Sequence, residues 1–232
     1  MAATRRFHYR IGPPGQAGQE ITVAIDPATL DCLEPAAETH SWAQLANHQC
    51  PNCPLDPVVT PLCPFAARLA AVVRHVGEML SFETVDVEIE SGTRRIHGRV
   101  PVQTAARSLI GLIAAVSGCP RTAFLRPMAW FHLPLADEEE TLFRAASSYL
   151  LGQYLRSRAG KMPDWTLDGL TAGYQALHTV NVAMAQRLRE ACEQDAAVNA
   201  VVLLDMFAKA VPYSVDESLE SLQPLFAGMG ED

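Results

Sequence analysis

The chain contains no run of about 18 apolar residues, the length a helix needs to cross a bilayer. Its longest apolar stretch, around Leu109 to Val116, is interrupted by Gly111 and suits a buried helix. Phe-His-Tyr-Arg, rather than an apolar segment, follows the opening Met-Ala-Ala-Thr-Arg-Arg, so a cytoplasmic protein without a secretory signal is expected. Charge is sparse, 19% of 232 residues, and the net charge is −8, which disfavours nucleic acid and anionic membrane as partners. The one basic cluster, Arg94, Arg95, His97 and Arg99, alternates with apolar positions and is expected to form a solvated strand face. Catalytic signatures are also missing: there is no P-loop, Gly-x-Gly-x-x-Gly, Gly-x-Ser-x-Gly or His-Glu-x-x-His. Glu138, Glu139 and Glu140 lack the Glu-x-x-His of a di-iron site, and the helix dipole accounts for acids in a first turn. A conventional enzyme is not expected.

The patterning that is present predicts an α+β fold. Phe7, Tyr9 and Ile11 alternate, as do Ile21, Val23 and Ile25, and Gly12-Pro13-Pro14-Gly15 between them supplies turn chemistry. A second hairpin is expected over 82–90 and 93–100, around Ser91-Gly92. Helices are expected over 64–80, 102–117 (stopped by Gly118), 137–160 with Asp137 and Glu140 as a capping box, and 167–192. Asp195 is expected to cap a further helix, and Ser214 with Glu217 a last one. Residues 1–134 then form an α+β region carrying a Cys-rich site, and 135–232 a helical bundle packed with it as one unit.

Residues 27–63 fit neither pattern. They hold six of the sixteen prolines and four of the six cysteines, and a loop this long in a compact domain needs something to pin it. Cys50, Cys53, Cys63 and Cys119 are each followed by proline, whereas Cys32 and Cys192 are not. A following proline biases its cysteine toward an extended backbone, which suits thiolates that project toward a common point. Cys50-x-x-Cys53 is the spacing at which two sulfurs grip one ion, and Cys63 precedes a helix whose dipole favours a thiolate. In a reducing compartment such cysteines are expected to be ligands rather than disulfides. The fourth ligand is either Cys119, giving four thiolates for structural Zn²⁺ or an iron–sulfur cluster, or His48, giving a three-cysteine, one-histidine zinc set. The Cys-Pro pattern nominates Cys119.

Weaker candidates surround this group. His132 could complete a site and the connector arginines Arg121 and Arg126 could bind an anion, but a half-buried histidine bonding loop carbonyls and arginines that tie down a loop account for them. Tyr174, His178 and Asn181 share a helical stripe and, with Tyr149 and Gln153, could line a polar pocket.

The segments Cys-Pro-Asn-Cys-Pro-Leu (50–55), Ser-Gly-Cys-Pro (117–120), Leu-Arg-Pro-Met (125–128) and Phe-His-Leu-Pro (131–134) together resemble an uncharacterised bacterial family of unknown function. The resemblance implies a bacterial cytoplasmic protein and brings no activity. The favoured expectation is therefore a metal-binding protein whose centre is structural if zinc and redox-active if iron–sulfur. The alternatives are a thiol–disulfide protein using Cys50 and Cys53, or a metal-free helical interaction module. A protein partner and the oligomeric state stay open.

Overall fold

The computed structural model describes residues 3–34, 40–220 and 222–228, with the side chains of 210–218 excepted. Four strands, β1 (Arg5–Gly12), β2 (Gln19–Ile25), β3 (Thr84–Ser91) and β4 (Arg94–Pro101), form an antiparallel sheet in the order β2-β1-β3-β4. The two hairpins join through β1 and β3, with Tyr9 opposite Ile89 and Ile11 opposite Val87. Alternation decides the faces: Phe7, Tyr9, Ile11, Val23, Val85, Val87 and Ile89 are buried. The other face carries Arg10 between Glu20 and Glu88 (3.0 and 2.6 Å), and Arg99 on Asp86 (2.7 Å). The basic cluster of β4 is thus matched by acids of β3, with Arg95 also on Glu88 and Glu90. Phe82, expected in the second hairpin, precedes β3 and is exposed.

Helices cover the apolar face of the sheet. α1 (Pro64–Val76) and α2 (Val102–Val116) lie nearest the sheet, and α3 (Arg126–Trp130) is a single turn within the Pro-punctuated connector. α4 (Glu138–Arg158) packs on α3 and on α5 (Asp168–Ala191) and α6 (Ala196–Glu220); α5 and α6 pack on each other and on α1, and α6 also on α2. The α4 capping box is present on both sides: Asp137 accepts from the Glu140 N–H at 2.8 Å, and Glu140 accepts from the Asp137 N–H at 3.0 Å. The main core is continuous from the sheet through α1 and α2 to α5 and α6, and a smaller cluster gathers round Leu170, Tyr174 and Leu177.

Two helix boundaries differ from expectation, and tertiary contacts explain the first. α1 stops at Val76, one turn early, because the carbonyls of Gly77 and Met79 receive N–H groups from Gln194 and Ala196 at the entry of α6. Asp195, the expected cap of α6, spends its carboxylate on the Ser81 N–H (2.7 Å) and hydroxyl (3.0 Å). Among the described residues no separate α-helix starts at Ser214: α6 runs without a break to Glu220, and only a short 3-10 turn (Gln223–Phe226) follows. The side chains of Ser214 and Glu217, its expected caps, lie outside the described residues.

Candidate metal centre

The segment before α1 is built by backbone pairing rather than by a regular element. Gln44 bridges Leu62, the Leu45 N–H donates to Pro61 O (2.8 Å), and the Cys63 N–H donates to Ala43 O (2.9 Å). This places Cys63 at the mouth of α1, with Pro64 in the first turn, where its missing N–H costs nothing. Cys50 and Cys53 close a tight turn, the Cys53 N–H donating to Cys50 O at 2.9 Å. Two contacts pin that turn: Asn52 Nδ2 reaches the Ala176 carbonyl on α5 (3.0 Å), and the Arg121 guanidinium bonds the Asn52 carbonyl. Cys119 arrives from the far side. It follows Gly118, whose φ of +87° reverses the chain just past α2.

These three separated stretches bring Cys50, Cys53, Cys63 and Cys119 to the wall of one enclosed void of about 10 Å³. Its other lining is mostly apolar, including Leu45, Phe65, Val180 and Met184, and it is completed by Arg121 and Arg187. Burial pushes the Cys50 thiol up to about 12, and the neighbouring thiols of Cys63, Cys119 and Cys53 add to the shift while Arg187 opposes it. Burial likewise raises Cys119, with Cys63 contributing. All six cysteines are free thiols. No three His, Cys, Asp or Glu side chains among the described residues stand as a ready-made ligand set for an ion.

Arg187 went unremarked in the sequence, although helical spacing from Val180 and Met184 puts it on the buried stripe of α5. It is 1% exposed, and its guanidinium donates to the carbonyls of Trp42 (2.8 Å), Gln44 (2.6 Å) and Leu45 (3.1 Å). Hydrogen bonds from a charged donor contribute about 1.5–3 kcal/mol each, enough together to offset the several kcal/mol that burying a cation costs. They do not neutralise it. Nε has no partner, and no carboxylate lies within ion-pair distance among the described residues. A buried positive charge therefore borders the four thiols.

The other candidates are placed elsewhere. His48, held at φ +42°, has Nε2 2.6 Å from Glu190 Oε1 and does not line the thiol cavity. Hydrogen bonds from Asn47 and then His48 hold the Glu190 carboxyl below its usual range. Cys32 donates its thiol to Glu34 (3.1 Å), and Cys192 lies against Gly77 at the end of α1. Burial raises both thiols to about 11. Arg126 pairs with Asp31. The polar stripe of α5 is divided rather than gathered: His178 pairs with Asp205 (2.6 Å), while Tyr149 bonds Asp164 (2.7 Å), whose N–H donates to Gln153.

A fold of this kind, an antiparallel sheet under helices with a thiol-lined void between loop and bundle, does not define an activity by itself. The chain belongs to a domain of unknown function, DUF6901, whose family model matches residues 6–227. No curated protein and no solved structure matches it. Among the described residues no helix is long and apolar enough to cross a membrane.

Proposed function

We propose that the protein binds one metal ion of the zinc type through the thiolates of Cys50, Cys53, Cys63 and Cys119, and that the ion is a structural clamp. The observation that carries this is the meeting of four Cys-Pro cysteines, from three separated stretches, on one void beside a buried arginine that has no ion pair among the described residues. Four thiolates around Zn²⁺ leave a net charge of about −2, and Arg187 supplies the nearest compensating charge. Size favours a single ion over a cluster: the void has room for about one water-sized sphere, roughly 10–15 Å³, and an iron–sulfur cubane fills far more. Loading requires the thiols to lose their protons and turn onto the ion, so binding is coupled to pH and to the fold. The clamp ties the 40–63 segment and the Cys119 connector to α1 and α5, in a reducing, cytoplasmic compartment.

The iron–sulfur reading keeps one support, the Cys-Pro pair, which also closes the bacterial ferredoxin cluster motif and recurs at all four of these cysteines. Anaerobic purification followed by elemental analysis, an absorption spectrum and thiol titration separates the cases. The expected result is a colourless protein with one zinc per chain, in which Cys32 and Cys192 react and the other four stay silent until a chelator is added. A folded, metal-free protein in which all thiols titrate together overturns the proposal. A brown protein with iron and acid-labile sulfide replaces the single ion with a cluster.

A further inference from the structure

A second cavity, sharing no lining residue with the thiol void, opens among α2, α3, α4, α5 and α6. It measures about 130 Å³, and its walls are apolar, with Leu112, Met128, Leu177, Leu204 and Phe207 prominent. An apolar cavity of about 150 Å³ holds benzene, so this one admits a small organic body. Its polar lining includes the donors Arg107, Arg144, Tyr174 and His132.

Three of these donors, Tyr174, Arg144 and His132, have capacity to spare, whereas Arg107 holds the Ala136 carbonyl (2.9 Å). Tyr174 is 2% exposed, and edge-on contacts to Phe124 and Phe207, both with centroids at 5.5 Å, fix its ring. Its hydroxyl makes no hydrogen bond among the described residues. Arg144 gives one nitrogen to the carbonyls of Met128 (2.6 Å) and Phe131 (3.3 Å); Glu140, one turn back on α4, acts on it at longer range, but no carboxylate lies within ion-pair distance among the described residues. A guanidinium has five N–H donors, so part of the fork is left over. Burial raises the Tyr174 hydroxyl and Arg144 opposes the shift, which sets the two groups against each other. His132 Nε2 lies 2.6 Å from the Tyr9 hydroxyl, itself 2.9 Å from Ser108 Oγ. Burial, and then Arg144, hold His132 down to about 3, so the ring is neutral at pH 7. With Tyr9 donating to Nε2, the ring proton sits on Nδ1, which becomes a further donor.

Acids stand only at the start of α4, where Asp137 and Glu138 border the cavity. Asp137 is engaged in its capping box, and Glu138 is exposed. One buried anionic head is thus favoured inside, and a second negative charge is opposed at the rim.

We propose that this cavity binds a small monocarboxylate with an apolar body, its carboxylate on Arg144 and Tyr174 and its body against Leu204 and Phe207. Isothermal titration at pH 7 on the full chain tests this with benzoate, the near-isosteric neutral benzyl alcohol, and the dianion phthalate. The proposal expects benzoate to bind, with benzyl alcohol and phthalate each at least about tenfold weaker. Tyr174→Phe is expected to weaken benzoate severalfold while circular dichroism is unchanged, and Arg144→Met to abolish binding. Because Arg144 also anchors two carbonyls, Tyr174→Phe is the variant that decides should Arg144→Met fail to fold. Three outcomes overturn the proposal: no binding of benzoate to the unaltered chain, benzyl alcohol binding as tightly as benzoate, or Tyr174→Phe binding benzoate as the unaltered chain does.

Discussion

Arg187 carries the electrostatic part of the account. Replacing it with methionine keeps most of the packing volume but strips the Trp42 and Leu45 carbonyls of this donor, leaves the Gln44 carbonyl with the Asn47 N–H alone (3.1 Å), and removes the cation beside the thiols. Each unsatisfied carbonyl costs about 1–3 kcal/mol. The metal-free Arg187→Met chain should therefore be measurably less stable in urea. Its zinc affinity should also fall, by about 10–100-fold as for other groups that support a metal's ligands, in a chelator competition. Equal affinity in the two chains would separate Arg187 from the metal and leave it as a loop anchor alone. By contrast, Cys32 keeps its partner Glu34 when its thiol becomes a hydroxyl, so Cys32→Ser should change neither metal content nor, beyond about 0.5 kcal/mol, stability.

At the scale of elements, the turn after α2 does most to aim a ligand. Gly118 sits at φ +87°, a conformation that a Cβ disfavours by roughly 1 kcal/mol, and Cys119 follows it directly. Gly118→Ala should lower stability by about that amount in thermal unfolding and weaken metal retention with it, whereas Gly118→Asn, which tolerates the left-handed region better, should recover part of both. This stop was legible in the sequence because a glycine ending an apolar helix is a local signal. The hairpins and the four Cys-Pro pairs were legible for the same reason. The joining of the hairpins through β1 and β3 was not, because pairing Tyr9 with Ile89 is a long-range choice that neither strand encodes alone. The early end of α1 was likewise hidden, since the groups that take the Gly77 and Met79 carbonyls come from residues 194 and 196. Arg187 shows a third kind of blindness: an arginine on a helix reads as solvated unless its place on the apolar stripe is checked against its neighbours.

For the whole molecule, pH acts in opposite directions on the stripped and the loaded protein. In the stripped chain burial raises Cys50 to about 12 and Cys32 and Cys192 to about 11. An unfolded thiol ionises near 8.5, so this contribution is intact below that pH and is lost as pH climbs from about 9 to about 12. With metal bound the thiolates are already ionised in the folded state, so alkali costs little and protons compete instead. The loaded protein keeps only the alkaline loss from the non-ligand thiols Cys32 and Cys192, so its midpoint should fall less than the stripped chain's through that window, and it should drop, with release of metal, on acidification. Denaturant midpoints across pH, with and without chelator, check both limbs. The two curves should approach each other in acid and diverge in alkali; parallel curves would argue against thiolate ligation.

The central claim, that Cys50, Cys53, Cys63 and Cys119 hold one ion, is tested most directly by X-ray absorption at the zinc edge on the purified 232-residue chain. A first shell of four sulfurs at about 2.3 Å is predicted, reduced to three in Cys119→Ser and unchanged in His48→Ala. A shell containing nitrogen that disappears in His48→Ala, or a folded protein that retains no metal when zinc is supplied, would contradict it.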